Sequence, residues 1–235
     1  MSAAVCRALL IGNSRWHWAE RVGKEWQMDH GPPDPTRLLG SPLVWSAVGP
    51  IPSDLPLPKE QQRTLADVPL AGCPDWLGVD RALGATAAWQ MSQRMGLDLH
   101  SGLLLADAGT VLSLTLLDAQ GQFAGGQLMP GLQLQLNAMA SGTTALQRPD
   151  QGTCPSTMFP RRTDEAMMRG AMQAMVGALR EAQRTCQSCL WICGGDSDWL
   201  GPALAEGQAM VHVDPDLVMK GLVQLIDPVS PGQDR

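Results

Sequence analysis

Residues 107–131 read DAGTVLSLTLLDAQGQFAGGQLMPG, and the punctuation of this stretch decides the fold. The apolar run Leu103–Asp107 (LLLAD) enters it as a buried strand and stops at the turn Ala108-Gly109-Thr110. Val111–Leu117 alternates as a second, paired strand does. Asp118-Ala119-Gln120-Gly121 is a hairpin turn of the Asx/Gly kind, and Phe123–Gln127 opens a third strand. Pro130–Ala140 then reads as a helix with proline near its start, where a missing N–H costs nothing. The unit is a strand meander followed by a helix.

Working outward, the same pattern recurs upstream. The apolar run beginning at Val5 becomes the strand of Arg7–Ser14 (RALLIGNS), which ends in the turn Gly12-Asn13-Ser14. Trp16–Ala19 reads as a second strand, Gly31–Pro35 as a loop and Leu43–Val48 as a further short strand. Gly49–Pro58 carries four prolines and reads as loop. Leu77–Asp80 leads into a helix over Arg81–Met95, and Gly96–Ser101 is a polar break that divides the chain into lobes 1–101 and 102–235. Downstream, Arg148–Arg162 is a loop, and Thr163 stands where a helix N-cap belongs. Asp164 and Glu165 in the first turn suit the macrodipole, and the helix runs to about Gln183. Leu190–Cys193 reads as a strand, Ser197–Glu206 as a helix, Met210–Val213 as the last strand and Leu217–Ile226 as the closing helix. Strand meanders followed by helices, twice over, predict an α/β chain with two similar lobes.

Composition bounds what such a chain does. Its 235 residues suffice for two lobes of ordinary domain size, with 44% hydrophobic and 17% charged residues. No run approaches the ~18 apolar residues that a membrane helix needs, and the first apolar run is too short for a signal peptide. A cytoplasmic protein with no membrane partner is expected. The net charge of −6, with no Lys/Arg cluster, argues against a nucleic-acid partner. The six cysteines, at 6, 73, 154, 186, 189 and 193, are then expected as reduced thiols. Cys186 and Cys189 form a Cys-x-x-Cys without a second pair to complete a zinc site, and they read as buried small residues at a helix end and on a strand. The chain has eight Trp, two Phe and no Tyr, so no tyrosine hydroxyl serves in any site.

Three turns that follow buried strands are rich in small residues: Gly12-Asn13-Ser14, Asp107-Ala108-Gly109-Thr110 and Gly194-Gly195-Asp196. Glycine lets a backbone approach a ligand, and successive N–H groups with a hydroxyl make an anion nest. Each turn alone is what any strand end prefers; the ordered set suits a nucleotide held by phosphate loops from both lobes. Together with PDWLGVDR (74–81), RRTDEAMMRG (161–170) and WICGGDS (191–197), the series resembles type III pantothenate kinases from about residue 7 to the final helix.

The resemblance implies two ribonuclease-H-like lobes of the actin-like ATPase fold with a cleft between them. It implies transfer of the ATP γ-phosphoryl group to the 4′-hydroxyl of pantothenate, the first step of coenzyme A biosynthesis. Mg2+ with ATP, a monovalent cation (K+ or NH4+) and a homodimer come with it. Asp80 falls on the acid of the Gly-x-Asp-Arg motif as base toward the substrate hydroxyl; read alone, it is an N-cap. An ordinary aspartate, pKa about 3.9, is ionised at neutral pH. Gly78 and Arg81 join it at the substrate, the guanidinium gripping a carboxylate; alone, Arg81 reads as a solvated surface charge. Gly12, Asn13, Ser14, Gly109, Thr110, Gly194 and Gly195 match nucleotide- and phosphate-binding positions, and Asp107 matches the residue that binds the monovalent cation. Thr163 and Gly170 match a helix that reaches the partner subunit's pantothenate site.

Departures from the family pattern are specific. Leu10 takes an Asp position and His17 a Lys position in the first loop, Thr115 stands where an Asp often follows the Gly-Thr motif, and Ala71 replaces a Tyr. They set a second reading beside the first: a catalytically impaired homologue that binds nucleotide or pantothenate and regulates.

Overall fold

The inner strands of the first sheet are apolar runs buried along nearly their whole length, with a set of tryptophans in the core on one side. The computed structural model describes residues 6–40, 42–49, 51, 53–150, 154–205 and 211–227. Strands β1 (Arg7–Ile11), β2 (Trp16–Val22), β3 (Glu25–Gly31) and β4 (Leu43–Ala47) form a sheet in the order β3-β2-β1-β4. β1 runs antiparallel to β2 and parallel to β4, and β2 runs antiparallel to β3. Leu9, Ile11, Trp16, Trp18, Leu38, Leu43 and Trp45 cluster as the core of one side. The guanidinium carbons of Arg7 and Arg37 sit 5.1 and 4.5 Å from the Trp18 ring centroid, so cations extend this aromatic layer.

A second sheet repeats the scheme. β5 (Leu103–Ala108), β6 (Val111–Leu117), β7 (Phe123–Pro130), β8 (Cys189–Cys193) and β9 (Val211–Val213) stand in the order β7-β6-β5-β8-β9. β5 pairs antiparallel with β6 and parallel with β8, and β8 runs parallel to β9. Helices α2 (Leu132–Gly142), α3 (Thr163–Cys186) and α4 (Ser197–Ala205) contribute Leu136, Met175, Leu179 and Leu200 to a core built on Leu104, Leu112, Leu114 and Ile192. α1 (Val79–Arg94) and α5 (Leu217–Gln224) belong with the first sheet, against β4 and against β1 and β2 respectively.

The described residues divide into two packed units. The first takes those within 6–96, 121–123 and 216–227, the second those within 97–120 and 124–215. The linear division at 101/102 therefore differs at the C-terminus, where the chain returns to the first unit from Asp216 onward. The cause is the α1–α5 seam: Gly221 brings the α5 backbone onto the Leu83 carbonyl, and Leu217, Met219 and Leu222 are buried there.

The expected elements are present with several corrections. β3 replaces an expected stretch without strand, because its exposed, alternating EWQMDHG shows only Trp26 and Met28 as apolar markers. Short 3-10 turns occupy Pro35–Leu38, Lys59–Gln61 and Leu65–Asp67. Pro130 ends β7 rather than starting the helix, which is capped by Gly131. α3 extends to Cys186, with Gln187 left-handed (φ 54°) as its C-cap. Val5, Pro50, Pro52, Glu206 and Met210 lie outside the described residues.

Candidate functional site

In the first unit, β1 ends at a turn closed by the Gly12 N–H donating to the Arg15 carbonyl at 3.0 Å. A methyl group on Gly12 would lie 2.8 Å from that carbonyl oxygen and 3.3 Å from Nε2 of His17. Asn13 and Ser14 are exposed at the tip. Strand register then draws one row across the sheet: His30 on β3, His17 on β2, Leu10 on β1 and Ser46 on β4. Leu10 is 4% exposed and Ser46 is fully buried, with its hydroxyl making no hydrogen bond among the described residues. Leu10 is thus an apolar position between two polar neighbours, His17 and Ser46.

Asp80 occupies the first turn of α1, whose N-cap is Gly78; Asp80 is not the cap. Its Oδ1 accepts the Arg81 N–H at 2.8 Å. Burial pushes its carboxyl above the ordinary 3.8, against the opposing pull of the Arg81 N–H and guanidinium. That corrects the expectation of an unperturbed aspartate, and a higher pKa makes a stronger proton acceptor. Arg81 is 8% exposed, not a solvated charge, and its guanidinium carbon lies 6.0 Å from the Phe123 ring centroid. Gly121–Phe123, the far end of the hairpin, packs with this unit, and the Phe123 N–H donates to the Ala71 carbonyl at 2.8 Å. Asp80, Arg81 and Gly78 therefore form one charged corner at a helix start, Arg81 buried and the other two half-buried, where the macrodipole also favours an anion.

The second unit gathers its own set. A methyl on Gly194 would lie 2.6 Å from Asp107 Oδ1 and 2.7 Å from the Ala108 carbonyl oxygen, so the two turns are in direct contact. Gly194 has φ +85°, a conformation that glycine adopts without strain. The Asp196 N–H donates to the Ala108 carbonyl at 3.0 Å, and the Gly131 N–H to the Thr110 carbonyl at 3.0 Å. Asp107, Gly109, Thr110, Gly194 and Gly195 are therefore brought to one end of one sheet. The carboxylate and neighbouring carbonyl oxygens are hard ligands of the kind an alkali cation takes. Among the described residues no three His, Cys, Asp or Glu side chains gather as a metal cage.

Thr163 is the first residue of α3 and Arg162 the cap, without a capping side-chain bond, so the expected N-cap role of Thr163 is corrected. Gly170 lies exposed on the same helix, with open space where a side chain would stand. None of the six cysteines is joined in a disulfide; Cys186 ends α3, while Cys189 and Cys193 are buried on β8. Thr115 is fully buried on β6 and Ala71 is exposed. No described helix is long and apolar enough to cross a membrane.

One cluster escaped sequence reasoning. His17 Nδ1 and His30 Nδ1 are 2.9 Å apart, and His30 Nε2 is 2.6 Å from Asp216 Oδ1, at the start of α5. The signal was there in part, since His17 was noted, but its partner sits on the unexpected strand β3 and the carboxylate is far along the chain.

The family model for type III pantothenate kinases matches residues 61–185. A type III pantothenate kinase of Synechococcus elongatus is 30% identical, with 92% of this chain and 94% of the relative covered. Among solved structures, a conserved Baf family transcriptional activator of Campylobacter jejuni, itself a putative assignment, superposes with a TM-score of 0.63 at 17% identity. That match covers 94% of this chain and 96% of the other. The activator of 2-hydroxyisocaproyl-CoA dehydratase from Clostridium difficile, with bound ADPNP, gives 0.50 at 11% identity, covering 92% and 91%. The fold is the α/β actin-like ATPase fold, and the chain belongs to the type III pantothenate kinase family.

Proposed function

We propose that this chain transfers the γ-phosphoryl group of ATP to the 4′-hydroxyl of pantothenate, forming 4′-phosphopantothenate. The observation that carries the reading is the Asp80–Arg81 corner: a carboxylate made more basic by burial, beside a buried guanidinium. Phosphoryl transfer asks mainly for positioning and charge stabilisation. Asp80 is the group that accepts the hydroxyl proton, and Arg81, with Gly78 beside it, holds the substrate carboxylate.

Gly12, Asn13, Ser14, Gly109, Thr110, Gly194 and Gly195 serve the nucleotide. Asp107 takes the monovalent cation, K+ or NH4+, through the oxygen ligands described above. Mg2+ carried on the ATP phosphates would supply the charge neutralisation that transfer requires while keeping several waters. Thr163 and Gly170 face a second copy in a homodimer acting in the cytoplasm, without nucleic acid.

The test is ADP release by the purified protein with pantothenate, without acceptor, and in potassium against sodium. Pantothenate-dependent release that is faster in potassium is expected. Nucleotide binding without turnover would instead make the chain the regulatory homologue.

A further inference from the structure

The first-sheet row ends in two histidines, and a carboxylate at the α5 N-cap joins them; the kinase reading leaves all three unused. Asp216 accepts from His30, His30 meets His17 nitrogen to nitrogen, and the far nitrogen of His17, Nε2, is the one beside Gly12. These three come from α5, β3 and β2 and lie in one unit. The contact between the two Nδ1 atoms admits one proton only, and this couples the protonation of one ring to the tautomer of the other.

The proton count follows. With His30 charged, its Nε2–H donates to Asp216 and its Nδ1–H donates to His17 Nδ1; the single proton of His17 then sits on Nε2. When the chain gives one proton to solvent, His30 keeps Nε2–H on Asp216. The shared proton moves onto His17 Nδ1, and His17 Nε2 is left bare. His17 passes between donor and acceptor at Nε2 without becoming an imidazolium. Its own charging is opposed by burial, by His30 and by Arg15, which together bring it from 6.5 to about 4, with Asp216 opposing. The charged and titratable groups around the relay are Arg15 from the β1–β2 turn, His30 and Asp29 from β3, and Asp216 from α5.

We propose that Asp216, His30 and His17 form a proton relay that switches His17 Nε2 between donor and acceptor toward a phosphate group held at the Gly12–Ser14 turn. The inference rests on the reading of that turn as a phosphate loop. Beside Gly12 the chain places a neutral N–H whose presence depends on a proton one residue removed. Nucleotide affinity is accordingly higher when His17 Nε2 carries the proton and falls when it is bare.

The relay is tested on the full chain labelled with 15N-histidine, with His17→Gln and His30→Gln used to assign resonances. Across about pH 5 to about pH 8.5, His17 Nε2 is expected to change from protonated to bare as the relay gives up its proton. Asp216→Asn, which removes the acceptor of the His30 Nε2–H, moves the pH at which that change occurs. Over the same range the Kd of a non-hydrolysable ATP analogue rises about tenfold in the native chain. The rise shrinks to that of the analogue's own phosphate titration in His17→Gln. A His17 tautomer that stays constant across that pH range overturns the relay, and an equal pH dependence in His17→Gln overturns its role at the phosphate. Both readouts stand without turnover, so a chain inactive toward pantothenate contradicts the kinase reading and leaves this one intact.

Discussion

Leu10 and Asp107 occupy the same place in two copies of one strand scheme. Each sits on the central strand, two residues before a turn glycine, Gly12 or Gly109. Each faces an antiparallel neighbour and a parallel one: His17 and Ser46 for Leu10, Ser113 and Cys193 for Asp107. In the second unit the central strand carries the charge. In the first, the central position is apolar and the ionisable groups have moved one and two strands outward, to His17 and His30. A repeated topology fixes where chemistry can be placed at a strand end; the side chains decide which strand supplies it.

The comparison breaks most easily at its charged member. Asp107→Ala should lower turnover by about 10²–10³-fold, as removal of a preorganised charge-stabilising group does, and abolish the difference between potassium and sodium. Steady-state kinetics in the two salts reads both effects. Leu10→Ala, the matching change in the first unit, should instead cost about 2–4 kcal/mol of stability in urea unfolding while KM for ATP stays unchanged.

Copying the charge across sharpens the contrast. Leu10→Asp buries a carboxylate whose pKa is then raised above its unfolded value. The destabilisation is full above the folded pKa and disappears below the unfolded value of about 3.9, so urea midpoints should approach those of the native chain as pH falls. A Leu10→Asp chain equally destabilised at low pH would mean cavity and shape effects dominate. Gly194→Ala tests the contact under Asp107, because both its positive φ and the 2.6 Å approach exclude a methyl. A loss of about 1–3 kcal/mol is expected by thermal or chemical unfolding.

Smaller effects separate roles rather than regions. The acid limb of kcat/KM should fall above the ordinary aspartate value of 3.8, because burial raises Asp80; a pH–rate profile measures it. Thr163→Ala should change stability by no more than about 0.5 kcal/mol, because Thr163 caps nothing. A rise in KM for pantothenate in that variant would then belong to the substrate and not to the helix.

What the sequence made legible follows from burial. β1, β5, β6 and β8 are apolar runs ended by small residues, and β6 begins and ends where its alternation does. β3 was illegible because an exposed edge strand has no core face to pattern it, and α5's return to the first unit depends on a close approach at Gly221 that local sequence does not encode. Local placement was legible where motif and turn coincide: Asp80 stands in the first turn of α1, and Asp107 and Gly194 meet at adjoining strand ends. The site was hidden where tertiary pairing joins residues far apart, as His30 and Asp216 are, and where burial alters chemistry, as at Asp80 and Arg81.

The most direct measurement is 31P NMR of the purified protein incubated with Mg-ATP, potassium and pantothenate. A phosphomonoester resonance that requires pantothenate, and that is missing with a folded Asp80→Asn chain, is the predicted result. Its absence with the native chain, or its undiminished appearance with Asp80→Asn, would contradict the assignment of that carboxylate as the proton acceptor of a phosphoryl transfer.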